Sequence, residues 1–327
     1  MTAVRLACGA IAAALSCALV TPAFADTQLT RGCTAHFTSA KEGAAILGRT
    51  DAFVERLSPF DRAARMKTDR PVSTTEYLEF VRRNVAEWSA DERAGIDAAL
   101  AKIRPSLEAL QVPLPASIAF IKTTGAEEGN AFYTRATAIV IPAGQLEKPD
   151  APLEHIIGHE LFHVVSRRNP ALREALYRAI GFAKCPEVTL PRELANRKIT
   201  NPDAPANDHA IKLQANGRKI TAVPIIVSSS PTYDVARGGE FFSYLQFGFL
   251  PLERGNAAAT EILKPENVTG FFEQVGRNTT YIIHPEEILA ENFALLVQNR
   301  SEVPSPEVLQ RIRAVLAQHG TGRAKSR

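Results

Sequence analysis

The stretch on which the rest of the chain turns is Glu154-His155-Ile156-Ile157-Gly158-His159-Glu160-Leu161-Phe162-His163-Val164-Val165. Asp150 and Pro152 are helix-start signals, Ile156, Ile157, Leu161 and Val165 form an apolar stripe, and Asn169-Pro170 is a stop. The pattern predicts a helix with His159 and His163 one turn apart, both able to reach a single metal ion. Glu160 lies next along the turn, where a carboxylate can take a proton from water without binding the ion. The plainer alternative is a chance motif whose histidines are hydrogen-bonded core residues. Against it, three of the chain's seven histidines (His155, His159, His163) fall at i, i+4 and i+8 on this one segment.

A catalytic zinc usually takes three protein ligands and a water. The arrangement His-Glu-x-x-His-x-x-Gly-x-x-His is excluded, because Ser166 and Asn169 hold the glycine and third-histidine places. A second stretch, Tyr281-Ile282-Ile283-His284-Pro285-Glu286-Glu287-Ile288-Leu289-Ala290-Glu291-Asn292-Phe293-Ala294, reads as a helix with Pro285 at its first position. Glu287 and Glu291 are i and i+4 on one face, with Ile288, Leu289, Leu295 and Leu296 for packing. A solvated helix face accounts for these acids equally well in isolation.

Together the two stretches resemble the gluzincin peptidases, the thermolysin-like clan, in which a downstream helix bears Glu-x-x-x-Asp or Glu-x-x-x-Glu. Glu287-Ile288-Leu289-Ala290-Glu291-Asn292-Phe293 is also similar to the Glu-x-x-Ala-Glu-x-Phe helix of the anthrax lethal factor group. The resemblance implies a Zn2+ site with His159, His163 and Glu287 as ligands, Glu160 as general base, and Glu291 fixing an imidazole tautomer. Tyr281 or His284 would stabilise the oxyanion. The implied protein is a zinc metallopeptidase acting on peptide or protein substrates, with a zincin-like α+β fold, mainly helical beside a small mixed sheet. Two features depart from the family. The separation of His163 from Glu287 is much longer than in compact members, and the middle segment resembles no relative, so Glu240, Asp234 and Glu286 stay rival third ligands. His155 reads as a cleft or packing residue. A zinc hydrolase of another amide, such as a cell-wall peptide, and a non-catalytic binding protein with a peptidase-like fold are the alternatives.

Residues 1–25 read as a secretory signal peptide, with Arg5, an apolar run from Leu6 to Val20 and Ala23-Phe24-Ala25 before the cleavage point. The expected product is exported, periplasmic or secreted, and has no integral membrane segment. Cleavage removes Cys8 and Cys17, leaving Cys33 and Cys185 as a possible disulfide. Loss of Arg5 takes the charge from 38 − 35 = +3 to 37 − 35 = +2, which offers nothing to nucleic acid.

Residues 26–112 read as a helical segment, separate or part of the catalytic domain. A broken helix covers Thr38 to Met66, a second runs from the capping box Ser73-Thr74-Thr75-Glu76 to about Trp88, and a third runs from Ser89-Ala90-Asp91-Glu92 towards Leu110. Residues 113–327 read as the catalytic domain. Ser117 to Lys122 and Phe132 to Pro142 are strands, and Phe132 to Thr137 is a possible substrate-pairing edge. Residues 185–239, rich in Pro, Asn and Asp, read as an insertion with one strand near Ala222 to Val227.

Overall fold

The computed structural model describes residues 25–148, 152–252 and 261–322. The expected leader, apart from Ala25, lies outside them, as does Asp150. The described chain opens with β1 (Thr27–Thr30) and β2 (Cys33–Phe37), then α1 (Ala40–Leu47), α2 (Ala52–Arg56), α3 (Pro59–Arg65), α4 (Thr74–Arg83), β3 (Val85–Ala86) and α5 (Ala90–Ala109). Ser39, Ser58, Ser73 and Ser89 each begin a helix as one half of a reciprocal capping box, with Glu42, Asp61, Glu76 and Glu92 closing the other half. The helix expected to reach Trp88 ends at Arg83, because Val85 and Ala86 pair with Thr123 and Lys122 of the strand described next. Tertiary pairing overrides local helix preference here.

A first, mixed sheet follows from β4 (Ser117–Thr123), β5 (Tyr133–Arg135) and β6 (Ala138–Pro142), in the order β1-β2-β4-β6-β5 with β3 on β4. The segment 26–112 is therefore not purely helical: it supplies three strands to this sheet. β2, β4 and β6 run parallel, and β5 turns back antiparallel to form the outer edge. The single strand expected over 132–142 is thus a hairpin, turning through Ala136 at φ 53°. α6 (Ala143–Leu146), α7 (Leu153–Arg168) and α8 (Pro170–Ala179) come next.

A second sheet occupies most of the segment expected to be irregular. β7 (Phe182–Lys184), α9 (Arg192–Asn196), β8 (His209–Ala215), β9 (Arg218–Ser228) and β10 (Leu245–Pro251) give an antiparallel sheet in the order β10-β9-β8-β7. β8 and β9 are joined at Asn216-Gly217, both with positive φ, the backbone of a two-residue hairpin turn. The chain closes with α10 (Phe272–Val275), α11 (Pro285–Val297) and α12 (Pro306–Gly322). The protein is α+β, with a mixed sheet and a second sheet. No helix among the described residues is long and apolar enough to cross a membrane.

α7 runs through the main core. Ile157, Leu161, Phe162, Val164 and Val165 share one apolar cluster with Ile139 and Ile141 of β6, Ile96 and Leu100 of α5, and Ile288, Leu289 and Phe293 of α11. Gly158 lets α7 and α11 approach closely, since a Cβ there would lie 2.9 Å from Val297 and 3.3 Å from the Ala294 Cα. The expected disulfide is absent. Cys33 and Cys185 are both free, Cys33 buried in the main core and Cys185 packed against the separate cluster of Val188 and Leu194.

Candidate metal centre

α7 and α11 place their charged residues against each other across the seam that Gly158 narrows. His159 Nε2 lies 3.0 Å from Glu287 Oε2, and His163 Nε2 lies 3.7 Å from the same oxygen. Both rings thus turn Nε2 to one point. Each Nδ1 is held from behind by another carboxylate of α11. His159 Nδ1 is 2.9 Å from Glu291 Oε1, and His163 Nδ1 is 3.1 Å from Glu286 Oε1. A carboxylate behind an imidazole fixes its tautomer and leaves the Nε2 lone pair for an ion. Glu286 is itself held by the hydroxyls of Ser166, at 2.8 Å, and Tyr177. Of the expected rivals for third ligand, it is the one at the site, and it braces His163 from the Nδ1 side. Glu240 instead pairs with Lys67 at the surface, and Asp234 accepts from the backbone of Ala236.

Glu160 is buried, and its Oε2 accepts a hydrogen bond of 2.8 Å from the Thr134 hydroxyl on β5. The second oxygen of Glu287, Oε1, accepts from Asn201 Nδ2 at 2.6 Å. Tyr281 stacks on His159 at 6.2 Å between ring centroids and is 42% exposed as a residue, while burial and the carboxylates of Glu287, Asp203 and Glu160 hold its phenol well above the usual range. His284, expected as an alternative oxyanion donor, is turned elsewhere. Its Nδ1 caps α11 by accepting from the Glu286 N–H at 3.1 Å, and its ring meets Tyr177 edge to face, 6.1 Å between centroids, beside a pocket of about 250 Å³. His155 sits behind Glu291, 3.4 Å from its carboxylate, and so supports the brace on His159.

The donor set fits a cation. His159, Glu160 and His163 can each bring one ligand atom within 4.8 Å of the others, and so can His163, Asp203 and Glu287. His163 Nε2 is buried with no hydrogen-bond partner, although it is aimed between carboxylates. Leaving a buried polar nitrogen unsatisfied costs about 1–3 kcal/mol, which an ion at that point would remove. The carboxyls crowd one another. Burial pushes Glu160 up to about 7, and burial with the charges of Glu160 and Glu287 holds Asp203 well above its usual range. Burial opposes ionisation of Glu287, but His163 and His159 pull it down to about 2. Burial likewise disfavours charge on His159, yet its bonds to Glu287 and Glu291 lift it well above an ordinary imidazole. A divalent ion among these groups would satisfy the carboxylates and displace the proton from His159.

The residues not foreseen from the sequence are Thr134, Arg167, Tyr177, Asn201 and Asp203. Asn201-Pro202-Asp203 has the composition of a turn, and nothing local ties a turn to a helix far away in the chain. No protein-family model matches the chain, and no characterised protein or solved structure is significantly similar to it.

Proposed function

We propose that this chain is an exported zinc-dependent peptidase of zincin-like fold that hydrolyses amide bonds at the α7–α11 seam. The observation that carries this reading is the convergence of both Nε2 atoms on Glu287 Oε2, with each Nδ1 braced by its own carboxylate. His159, His163 and Glu287 would hold the ion, which when bound supplies Lewis acidity to a carbonyl and acidity to water. Thr134 occupies Glu160 Oε2, so Glu160 receives the proton of the attacking water on Oε1 and passes it to the leaving nitrogen. Tyr281 stacks beside His159, and its hydroxyl would donate to the developing oxyanion. A small apolar pocket of about 80 Å³, lined by Phe132, Phe241, Phe242, Leu245, Tyr281 and Ile283, adjoins the seam and suits an apolar side chain of the substrate.

The test is metal content by plasma mass spectrometry on the native chain and on Glu287→Ala, followed by turnover of a mixed peptide library by the native chain and Glu160→Gln. About one zinc per native chain, a clear loss in Glu287→Ala and cleavage abolished in Glu160→Gln are expected. A native chain that takes up no zinc after reloading would overturn the reading.

A further inference from the structure

The segment Asn201-Pro202-Asp203 lies over the site, and it is held there by a complete set of contacts. β5 is the outer strand of its sheet, and in an antiparallel pair alternate residues direct both N–H and C=O away from the neighbour. Thr134 is such a residue. Its N–H is taken by Asp203 Oδ1 at 2.7 Å, and its carbonyl by Arg167 Nη1 at 3.2 Å. Arg167 also donates to the carbonyl of Ala136 at 2.8 Å and to those of Pro202 and Asp203 at 3.2 and 3.1 Å. One guanidinium on α7 therefore ties the outward edge of β5 to the strap. The strap's tip reaches the centre: Asn201 holds Glu287 Oε1, and Asp203 offers an oxygen within 4.8 Å of donor atoms of His163 and Glu287. Its base is anchored as well, since Asp61 accepts from the Thr200 N–H at 3.1 Å and Arg65 donates to the Thr200 carbonyl at 3.0 Å.

An extended peptide adding to β5 would need the same Thr134 N–H and C=O, and the ion would need an open position for water. We infer that residues 201–203 are a built-in inhibitory strap, with Asp203 a fourth ligand that occupies the remaining position of the metal site and holds turnover low. The inference rests on the metal-site reading above. Activation would require the strap to leave, by cleavage near Asp203 or by a partner that draws Arg167 away from it.

The test uses the full chain loaded with cobalt(II), whose visible spectrum reports coordination. In the native chain, acetohydroxamate should leave the spectrum unchanged, because the position it needs is filled. In Asp203→Asn, which keeps an acceptor for the Thr134 N–H, the same concentration should shift the spectrum. That variant should bind zinc about tenfold or more weakly, on the scale that loss of a group supporting a metal site produces, yet hydrolyse peptides faster at saturating zinc. Weaker metal binding with faster turnover is a pairing that a merely structural role would not give. Hydroxamate binding by the native chain as strong as by Asp203→Asn would overturn the strap while leaving the metal site intact. A native chain that binds no metal would remove the site and the strap together.

Discussion

Two buried charge clusters among the described residues, one around Arg65 and one around His159 and His163, are finished differently. In the first, Arg65 donates to Asp61 at 2.6 Å, to both oxygens of Glu128 at 2.9 and 2.6 Å, and to the carbonyl of Thr200, while the rings of Phe53 and Phe241 flank its guanidinium. Asp61 also accepts from the backbone of Ser58 and Thr200. Burial alone would weaken the Arg65 charge, but Glu128 and Asp61 raise its pKa further above the usual value. In the second cluster the braces are equally complete, but the Nε2 atoms and carboxylate oxygens face inward and His163 Nε2 has no partner. Burial of charge alone does not separate structure from chemistry. The separation lies in whether every donor is answered by a protein atom, or several are aimed at a common point.

The largest effect is expected at Arg65. Arg65→Met leaves Asp61 and Glu128 buried without a counter-charge, and about 3–5 kcal/mol of stability should be lost, read as a fall in urea midpoint at unchanged slope. A loss under about 1 kcal/mol would mean that the first cluster is not the satisfied structural network described. The helix seam comes next. Gly158→Ala places a methyl 2.9 Å from Val297, so about 1–3 kcal/mol should go, accompanied by weaker zinc binding as α7 and α11 separate. Weaker stability with unchanged zinc affinity would show that the seam does not set the donor geometry. Glu286→Gln should cost about 10–100-fold in zinc affinity, equivalent to about 1.4–2.7 kcal/mol, because the brace on His163 Nδ1 loses its charge. Glu240→Gln should be nearly silent. It breaks an exposed pair with Lys67 worth about 1 kcal/mol at most and should leave zinc content unchanged; a loss of zinc would restore Glu240 as a ligand.

Acidity sharpens the same contrast in the zinc-free chain. Glu287 is depressed from 4.5 to about 2, so its contribution is full above 4.5 and is lost as pH falls towards 2. Glu160 is raised from 4.5 to about 7, so its contribution is full below 4.5 and is lost as pH rises through 7. His159, raised above 6.5, also stabilises the fold below 6.5 and ceases to do so as pH rises through its elevated pKa. The combined contribution of these three groups is greatest near pH 4.5, and added zinc should move that optimum towards neutrality. Thermal scans from pH 3 to 8 with and without zinc check this; identical profiles would mean that the ion does not meet these groups.

The helices that carry the motif were legible because their signals are local. α11 starts at Pro285 as its sequence predicts, and α7 ends at Arg168 just before Asn169-Pro170. The serine capping boxes likewise fixed the starts of α4 and α5. The hairpin of β5 and β6 was not legible, because its turn uses Ala136 where glycine or asparagine would be the usual signal. The second sheet was missed for a different reason. Its Asn216-Gly217 turn is a strong hairpin signal, flanked by alternation in Ile211-Lys212-Leu213-Gln214, yet both sit among loop-like neighbours that drew the reading towards disorder of pattern. At the site, spacing along one helix could pair Glu287 with Glu291, but which acid meets which ring nitrogen depends on how α7 and α11 cross. The strap lay beyond reach altogether, since Asn201 and Asp203 acquire their roles only from residues on β5, α7 and α11.

His159 and Glu287, the two halves of the proposed metal centre, are 128 positions apart in the chain. Closing a loop of that length costs on the order of 4 kcal/mol before any contact is rewarded, and such distant pairings come late in folding. An ion held there would therefore bind late in folding, unlike the zinc of small finger domains, on which folding itself depends. Its uptake would mark the moment when α11 docks on α7, so the arrival of metal during refolding can be used as a clock for the last step of assembly.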